Sequence, residues 1–198
     1  YFYACLTKIR ASVRMNSILF GKAVQHMLRL RPYKACDAET IVSWITDEVT
    51  FRRWCADRYD HYPISADDMN RYYSQFAYCD NHYEMTAYDE SGIAGHMIMR
   101  FTDSEKKILH FGFIIVDAKR RGCGLGKQMV QSAVRYAFDM LAAEAITLVV
   151  FEGNEPAFRC YRSLGFRESV PPKTERYEID GKEWRATELT LTRPQASK

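Results

Sequence analysis

The chain has no apolar run long enough to cross a bilayer, which takes about 20 residues, so no membrane role is expected of it. It has no Cys-x-x-Cys pair and no cysteine–histidine cluster at zinc-ligand spacing. Cys5, Cys36, Cys55, Cys79, Cys123 and Cys160 stand apart from one another. No metal is therefore expected, and free thiols in a reducing, cytoplasmic setting are the simplest account of them. An excess of charge of one sign is lacking too. Against 25 Asp and Glu stand 28 Lys and Arg, a net +3, and a nucleic-acid binder usually concentrates more positive charge on one face. No internal repeat or low-complexity tract is present.

What is present is an ordinary globular composition, 47% hydrophobic and 27% charged over 198 residues, which suits one domain with a sizeable core better than two. Residues 1–26 carry Lys8, Arg10, Arg14 and Lys22 but no acid, a composition similar to that of a transit peptide. The plainer reading is sequence upstream of a start at Met27. The expected organisation is an extension outside the fold at 1–26, a domain at 27–194 and a tail at 195–198.

Along that domain, Leu28-Arg29-Leu30-Arg31-Pro32-Tyr33 alternates as a half-buried strand does. Asp37 is placed to cap a helix running to about Thr46, a second helix is expected from Asp47 to Asp57, and Ser65 can cap a third from Ala66 to about Phe76. The aromatics Trp54, Tyr59, Tyr62, Tyr72, Tyr73 and Phe76 of this region read as core, some of them as lining for an acceptor. Strands follow at Tyr83–Tyr88, Ile93–Phe101 and Ile108–Val116, separated by polar turns. A helix from Gly124 to about Ala142 then leads to a buried strand, Ala145–Phe151. Continuous apolar runs on both sides of a helix suggest parallel strands covered on both faces. Asn154 is a good N-cap for a helix from Glu155 to Leu164 that Gly165 stops. A strand at 165–170 and a last strand at Lys182–Thr192, after the Asp180-Gly181 turn, close the chain.

The segment Phe113 to Lys127 carries the chemistry. An apolar strand ends at Asp117, and a basic loop, Arg121-Gly122-Cys123-Gly124-Leu125-Gly126-Lys127, opens a helix with an apolar stripe of helical period. Glycines let backbone N–H groups approach a ligand, and the first N–H groups of a helix have no internal partner and favour an anion. Arg120, Arg121 and Lys127 add charge. This is a candidate phosphate cradle. It is not a Walker A loop, because position 121 is Arg where glycine is needed and Gln128 follows the Lys; the dinucleotide fingerprint fails as well. What fits is Arg/Gln-x-x-Gly-x-Gly/Ala at Arg121, Gly124 and Gly126. An ordinary glycine-rich turn would use the same residues.

That motif resembles the pyrophosphate-binding motif of the GNAT family of N-acetyltransferases. A second stretch, Asn154, Ala157, Tyr161, Gly165 and Phe166, resembles the family's second block, at the expected distance past one helix and one strand. The resemblance covers about Leu28 to Thr192. It implies an α/β, single-domain acyl-CoA N-acyltransferase fold, with a mixed, mostly antiparallel sheet of about seven strands flanked by helices. It implies acetyl-CoA as co-substrate and a primary amine of a small molecule or of a peptide N-terminus as acceptor, and it allows a homodimer. By the same resemblance, Ile114 and Val116 would hydrogen-bond the pantetheine arm as an added strand would. Arg121, Gly122, Gly124, Gly126 and Lys127 would hold the pyrophosphate, and Asn154 would sit beside the pantetheine. Tyr161 would protonate the leaving thiolate, the alternative being a packed helix aromatic. Some relatives carry a Glu base where this chain has Val149. His110 is the candidate base, its ordinary pKa of about 6.5 suiting the task; a strand histidine packed against its neighbours is the alternative, and Glu84 and Glu152 are weaker candidates. A catalytically silent acyl-CoA-binding module is the competing function.

Overall fold

The computed structural model describes residues 28–179 and 181–194. The expected extension at 1–26, the tail at 195–198 and Asp180 of the expected turn lie outside the described residues. Eight strands and five helices follow in the order β1 (Arg29–Pro32), α1 (Ala38–Ser43), α2 (Glu48–Cys55), α3 (Ala66–Ser74), β2 (His82–Asp89), β3 (Gly92–Phe101), β4 (Ile108–Val116), α4 (Leu125–Arg135), β5 (Ala145–Phe151), α5 (Glu155–Ser163), β6 (Arg167–Glu168), β7 (Thr174–Ile179) and β8 (Lys182–Thr192). The strands join in one sheet of order β1-β2-β3-β4-β5-β8-β6, with β7 pairing β8 further along the same edge as β6. Every pairing is antiparallel except β4 with β5. The expected strand at 165–170 shortens to Arg167–Glu168, and the helix expected to Ala142 passes into a single π-helical stretch, Tyr136–Met140.

Local chemistry explains the helix starts. Asp47 accepts from the Thr50 amide at 2.8 Å and starts α2. Ser65 and Asp68 form a reciprocal capping box on α3. Asp37 does not cap α1 with its side chain. Its carboxylate instead takes two bonds from Arg31, at 2.7 and 2.8 Å, one from the Thr86 hydroxyl and one from the Lys34 amide. These fasten the first turn to β1 and β2, because a buried carboxylate is tolerable only when its oxygens are filled.

Two cores lie on opposite faces of the sheet. Leu109, Phe111, Leu148 and Leu189 pack under α4 and α5 with Met129, Ala133 and Phe166. Ile98, Phe113 and Ile115 pack under α1–α3 with Ile41, Phe51, Trp54 and Met69. Side chains of a regular strand alternate between faces, so Phe111 and Phe113 should share one. A β-bulge prevents it. Ile98 pairs with Gly112 and His96 with Ile115, so Phe113 and Ile114 together oppose one residue of β3. Phe113 has φ +51°, an uncommon conformation for an aromatic residue. The bulge switches the facing of β4 half-way along, and it lies at the site.

Candidate functional site

The bulge is also where β4 leaves β5. The two strands pair from Ile108 with Ala145 to Phe111 with Leu148, and no further. Beyond that point their facing edges diverge into a wedge. On its other edge β4 remains tied to β3, where the Asp117 amide donates to the Ala94 carbonyl at 2.9 Å. Backbone groups of successive strand residues point to alternate edges, so those of Val116 and Ile114 face the wedge. Two polar backbone edges are left without a strand between them. The expectation that β4 and β5 are covered on both faces does not hold along β4, where His110, Gly112, Ile114 and Val116 are only partly buried. The helices α1–α3 cover β4 beyond the bulge and leave its first half open.

At the end of the wedge lies the glycine loop. Gly122 and Gly124 have φ of +82° and +79°, and Gly124 is the residue before the first turn of α4. A side chain at either position would be strained, and a Cβ there would meet no protein atom within 4 Å. The loop is bare on that side, and the start of α4 has no side-chain cap to fill its first N–H groups. Arg121 and Lys127 are exposed beside it. The cradle therefore fits a diphosphate. Arg120 is different: it is paired with Asp89, whose side chain is fully buried, so it anchors the loop to the end of β2.

At the inner end of the wedge a cavity of about 130 Å³ is lined by Phe111–Ile114, Val149–Phe151, Asn154, Ala157 and Tyr161. Asn154 stands at the head of α5 but makes no capping bond with its side chain, contrary to its expected role; the residue lines this cavity. Tyr161 is 7% exposed, and burial pushes its hydroxyl pKa well up, so it stays protonated at neutral pH.

A second, larger hollow of about 660 Å³ opens on the groove face of β4, β5 and β8 and is walled by residues 167–177. His110, Arg58, Arg100 and Tyr177 line both cavities and form the junction between them. His110 Nδ1 lies 3.1 Å from the Thr147 hydroxyl. Burial, helped by Arg100, lowers its pKa to about 4, against the ordinary value that made it attractive in the sequence. It is neutral at physiological pH, and in the tautomer whose Nδ1–H donates to Thr147 Oγ1 its Nε2 is a hydrogen-bond acceptor. Glu84 bonds His82 instead, and neither it nor Glu152 lines either cavity. Glu188 was not legible as a site residue. It lies across from Val149 on β8, bonded to Ser169 Oγ at 2.7 Å and to Lys173 Nζ at 3.2 Å. Only strand register brings this carboxylate beside Val149.

The sequence and the fold are matched in known proteins. The sequence model of the acetyltransferase (GNAT) family matches residues 44–166, more than half of the chain. This chain belongs to the GNAT family. Among curated relatives, the SPbeta prophage-derived uncharacterized N-acetyltransferase YokL of Bacillus subtilis is 30% identical over 107 residues, 54% of this chain. The chain spans 59% of the length of that relative. Among solved structures, the spermidine N-acetyltransferase of Vibrio cholerae in complex with CoA and spermine superposes with a TM-score of 0.72 at 20% identity, covering 84% of this chain and 95% of that one. The spermidine/spermine N-acetyltransferase SpeG of the same organism with manganese ions gives 0.66 at 20% identity, covering 84% and 92%. At that identity the likeness is one of fold, and the GNAT fold is what the sheet and its five helices form. Among the described residues no helix is long and apolar enough to cross a membrane, and no group of three or more His, Cys, Asp or Glu could hold a metal ion.

Proposed function

We propose that this GNAT protein transfers the acetyl group of acetyl-CoA to the primary amine of a small molecule or of a peptide N-terminus. The observation that carries the reading is the junction: one cavity inside the strand wedge and one open groove share His110, Arg58, Arg100 and Tyr177. A transferase needs two substrates to meet at such a place. The fold neighbour described with CoA and spermine supports an amine acceptor.

Acetyl-CoA, when bound, supplies the activated acyl group: the amine nitrogen bonds to the acetyl carbon as the carbon–sulfur bond breaks. The amides at Gly122, Gly124 and Gly126 hold the diphosphate, with Arg121 and Lys127 adding charge. The wedge-facing backbone of Ile114 and Val116 holds the pantetheine arm, and Asn154 borders it. Tyr161 keeps its proton until sulfur needs it and donates it from the hydroxyl. His110 accepts a hydrogen bond from the incoming amine and passes the released proton toward the groove water. With a pKa of about 4 it holds that proton only briefly, and the acceptor must arrive as the neutral amine. The domain occupies 27–194, β1 and β8 being its first and last strands, and we place it in the cytoplasm.

The test is an amine panel with acetyl-CoA. Free thiol released only when an amine is present supports the transferase. Acetyl-CoA binding with no thiol released by any amine would mean a silent binding module.

A further inference from the structure

The groove floor is a single row across five strands. Register aligns Arg100 of β3 with His110 of β4, His110 with Thr147 of β5, Thr147 with Thr190 of β8 and Thr190 with Arg167 of β6. All five line the hollow. A guanidinium stands at each end, and hydrogen-bonding side chains lie between.

The charges along this row are unequally matched. Arg167 donates to the carbonyls of Arg162 and Phe166. The groove acid Glu188 is taken by Lys173 and Ser169, and Glu175 accepts the Tyr177 hydroxyl. Glu168 is on β6, at the far end from the junction. Arg100 is partly buried, yet among the described residues its side chain makes no ion pair and no hydrogen bond. Arg58, across the junction, pairs only with its exposed neighbour Asp57. A partly desolvated cation without a partner is costly unless something fills its fork of donors.

Resting on the acetyl-transfer reading, we propose that the acceptor is an amine with a carboxylate beside it, as in a free α-amino acid, and that Arg100 and Arg58 hold that carboxylate. In an α-amino acid one carbon separates nitrogen from carboxylate. A carboxylate held at the junction therefore leaves the nitrogen at the mouth of the wedge, where Arg100 and Arg58 also reach. The same two cations disfavour a third. They lower the proton affinity of His110 and favour the neutral amine over the ammonium, which is the form that attacks. The acceptor's side chain then runs along Thr147 and Thr190. An acceptor carrying only positive charge would meet Arg100 and Arg58 at the junction and be repelled.

Matched pairs of acceptors test this: alanine against ethylamine, and phenylalanine against phenethylamine, each with acetyl-CoA and thiol release as the readout. The amino acids are expected to exceed their decarboxylated partners by about tenfold or more in kcat/KM, the scale of a charge-assisted hydrogen bond. In Arg100→Gln that ratio should collapse toward one, and Arg100→Lys should restore part of it. Arg58→Gln, at an exposed position, repeats the test without a risk to folding. Ratios near or below one in the unaltered protein, or ratios that neither variant changes, overturn the carboxylate site and leave acetyl transfer standing. If no acceptor releases thiol although acetyl-CoA binds, acetyl transfer fails. Calorimetry of phenylalanine with the CoA-loaded protein then decides the site separately: heat lost in Arg100→Gln supports it, and no heat overturns it.

Discussion

The indole N–H of Trp54 donates to the backbone carbonyl of Phe113 at 2.8 Å, joining α2 to the residue at which β4 bulges. The Phe113 ring packs against the same indole at 4.9 Å between centroids. An aromatic residue at positive φ is held by what surrounds it, and this bond is the polar part of that hold.

Trp54→Phe keeps an aromatic ring and removes the donor. A buried carbonyl left without a partner costs about 1–3 kcal/mol. Urea denaturation should show that loss, and calorimetry should show weaker acetyl-CoA binding as the wedge edge loosens. Unchanged values in both would mean that the bulge holds itself.

Gly124→Ala separates strain from ligand contact. Gly92, at φ +111° at the first position of β3, is the control, since neither position has a protein atom within 4 Å of a built Cβ. Each substitution should cost about 1–3 kcal/mol from forcing a side chain into a positive φ. Only Gly124→Ala should also weaken acetyl-CoA binding, by about tenfold for one lost charge-assisted bond. Equal effects on binding would remove the loop from the coenzyme site.

Tyr161→Phe removes one oxygen from a buried ring of the main core. Turnover should fall by about tenfold or more, the scale of a lost general acid, with little change in acetyl-CoA affinity. Full turnover in the variant would return Tyr161 to a packing role.

Stability should fall in mild acid. Burial lowers the pKa of His110 to about 4 and that of His96, fully enclosed beside Tyr73, to about 3. Unfolded, both bind a proton near pH 6.5. Between that pH and the folded values the unfolded chain holds more protons, so stability is full above about pH 6.5 and drains as pH drops toward 4 and then 3. Each histidine contributes at most about 1.4 kcal/mol per pH unit. Urea midpoints at about pH 7 and about pH 5 measure this, and His110→Gln should flatten part of the slope. A midpoint that does not move between these pH values would contradict the buried, neutral histidines.

Much of the site was legible because it depends on neighbours in sequence. The glycine loop, the strand before it and the helix after it form one continuous segment, and Asn154 to Phe166 form another. Asn154 shows the limit: its position predicted a side-chain cap, and in the fold it makes none and lines the wedge cavity. His110 shows it again. Its identity suggested a base of ordinary pKa, and the burial that lowers it arises from strands distant in sequence.

By itself the sequence determined the order of helices and of every strand but β7, the bare helix start and the tyrosine of α5, because periodicity, glycine and capping chemistry act over a few residues. Only the tertiary structure decided the rest. The bulge that turns Phe113 to the other face, the wedge between β4 and β5, and the row from Arg100 to Arg167 all depend on register between strands, which side-chain packing across the whole sheet sets.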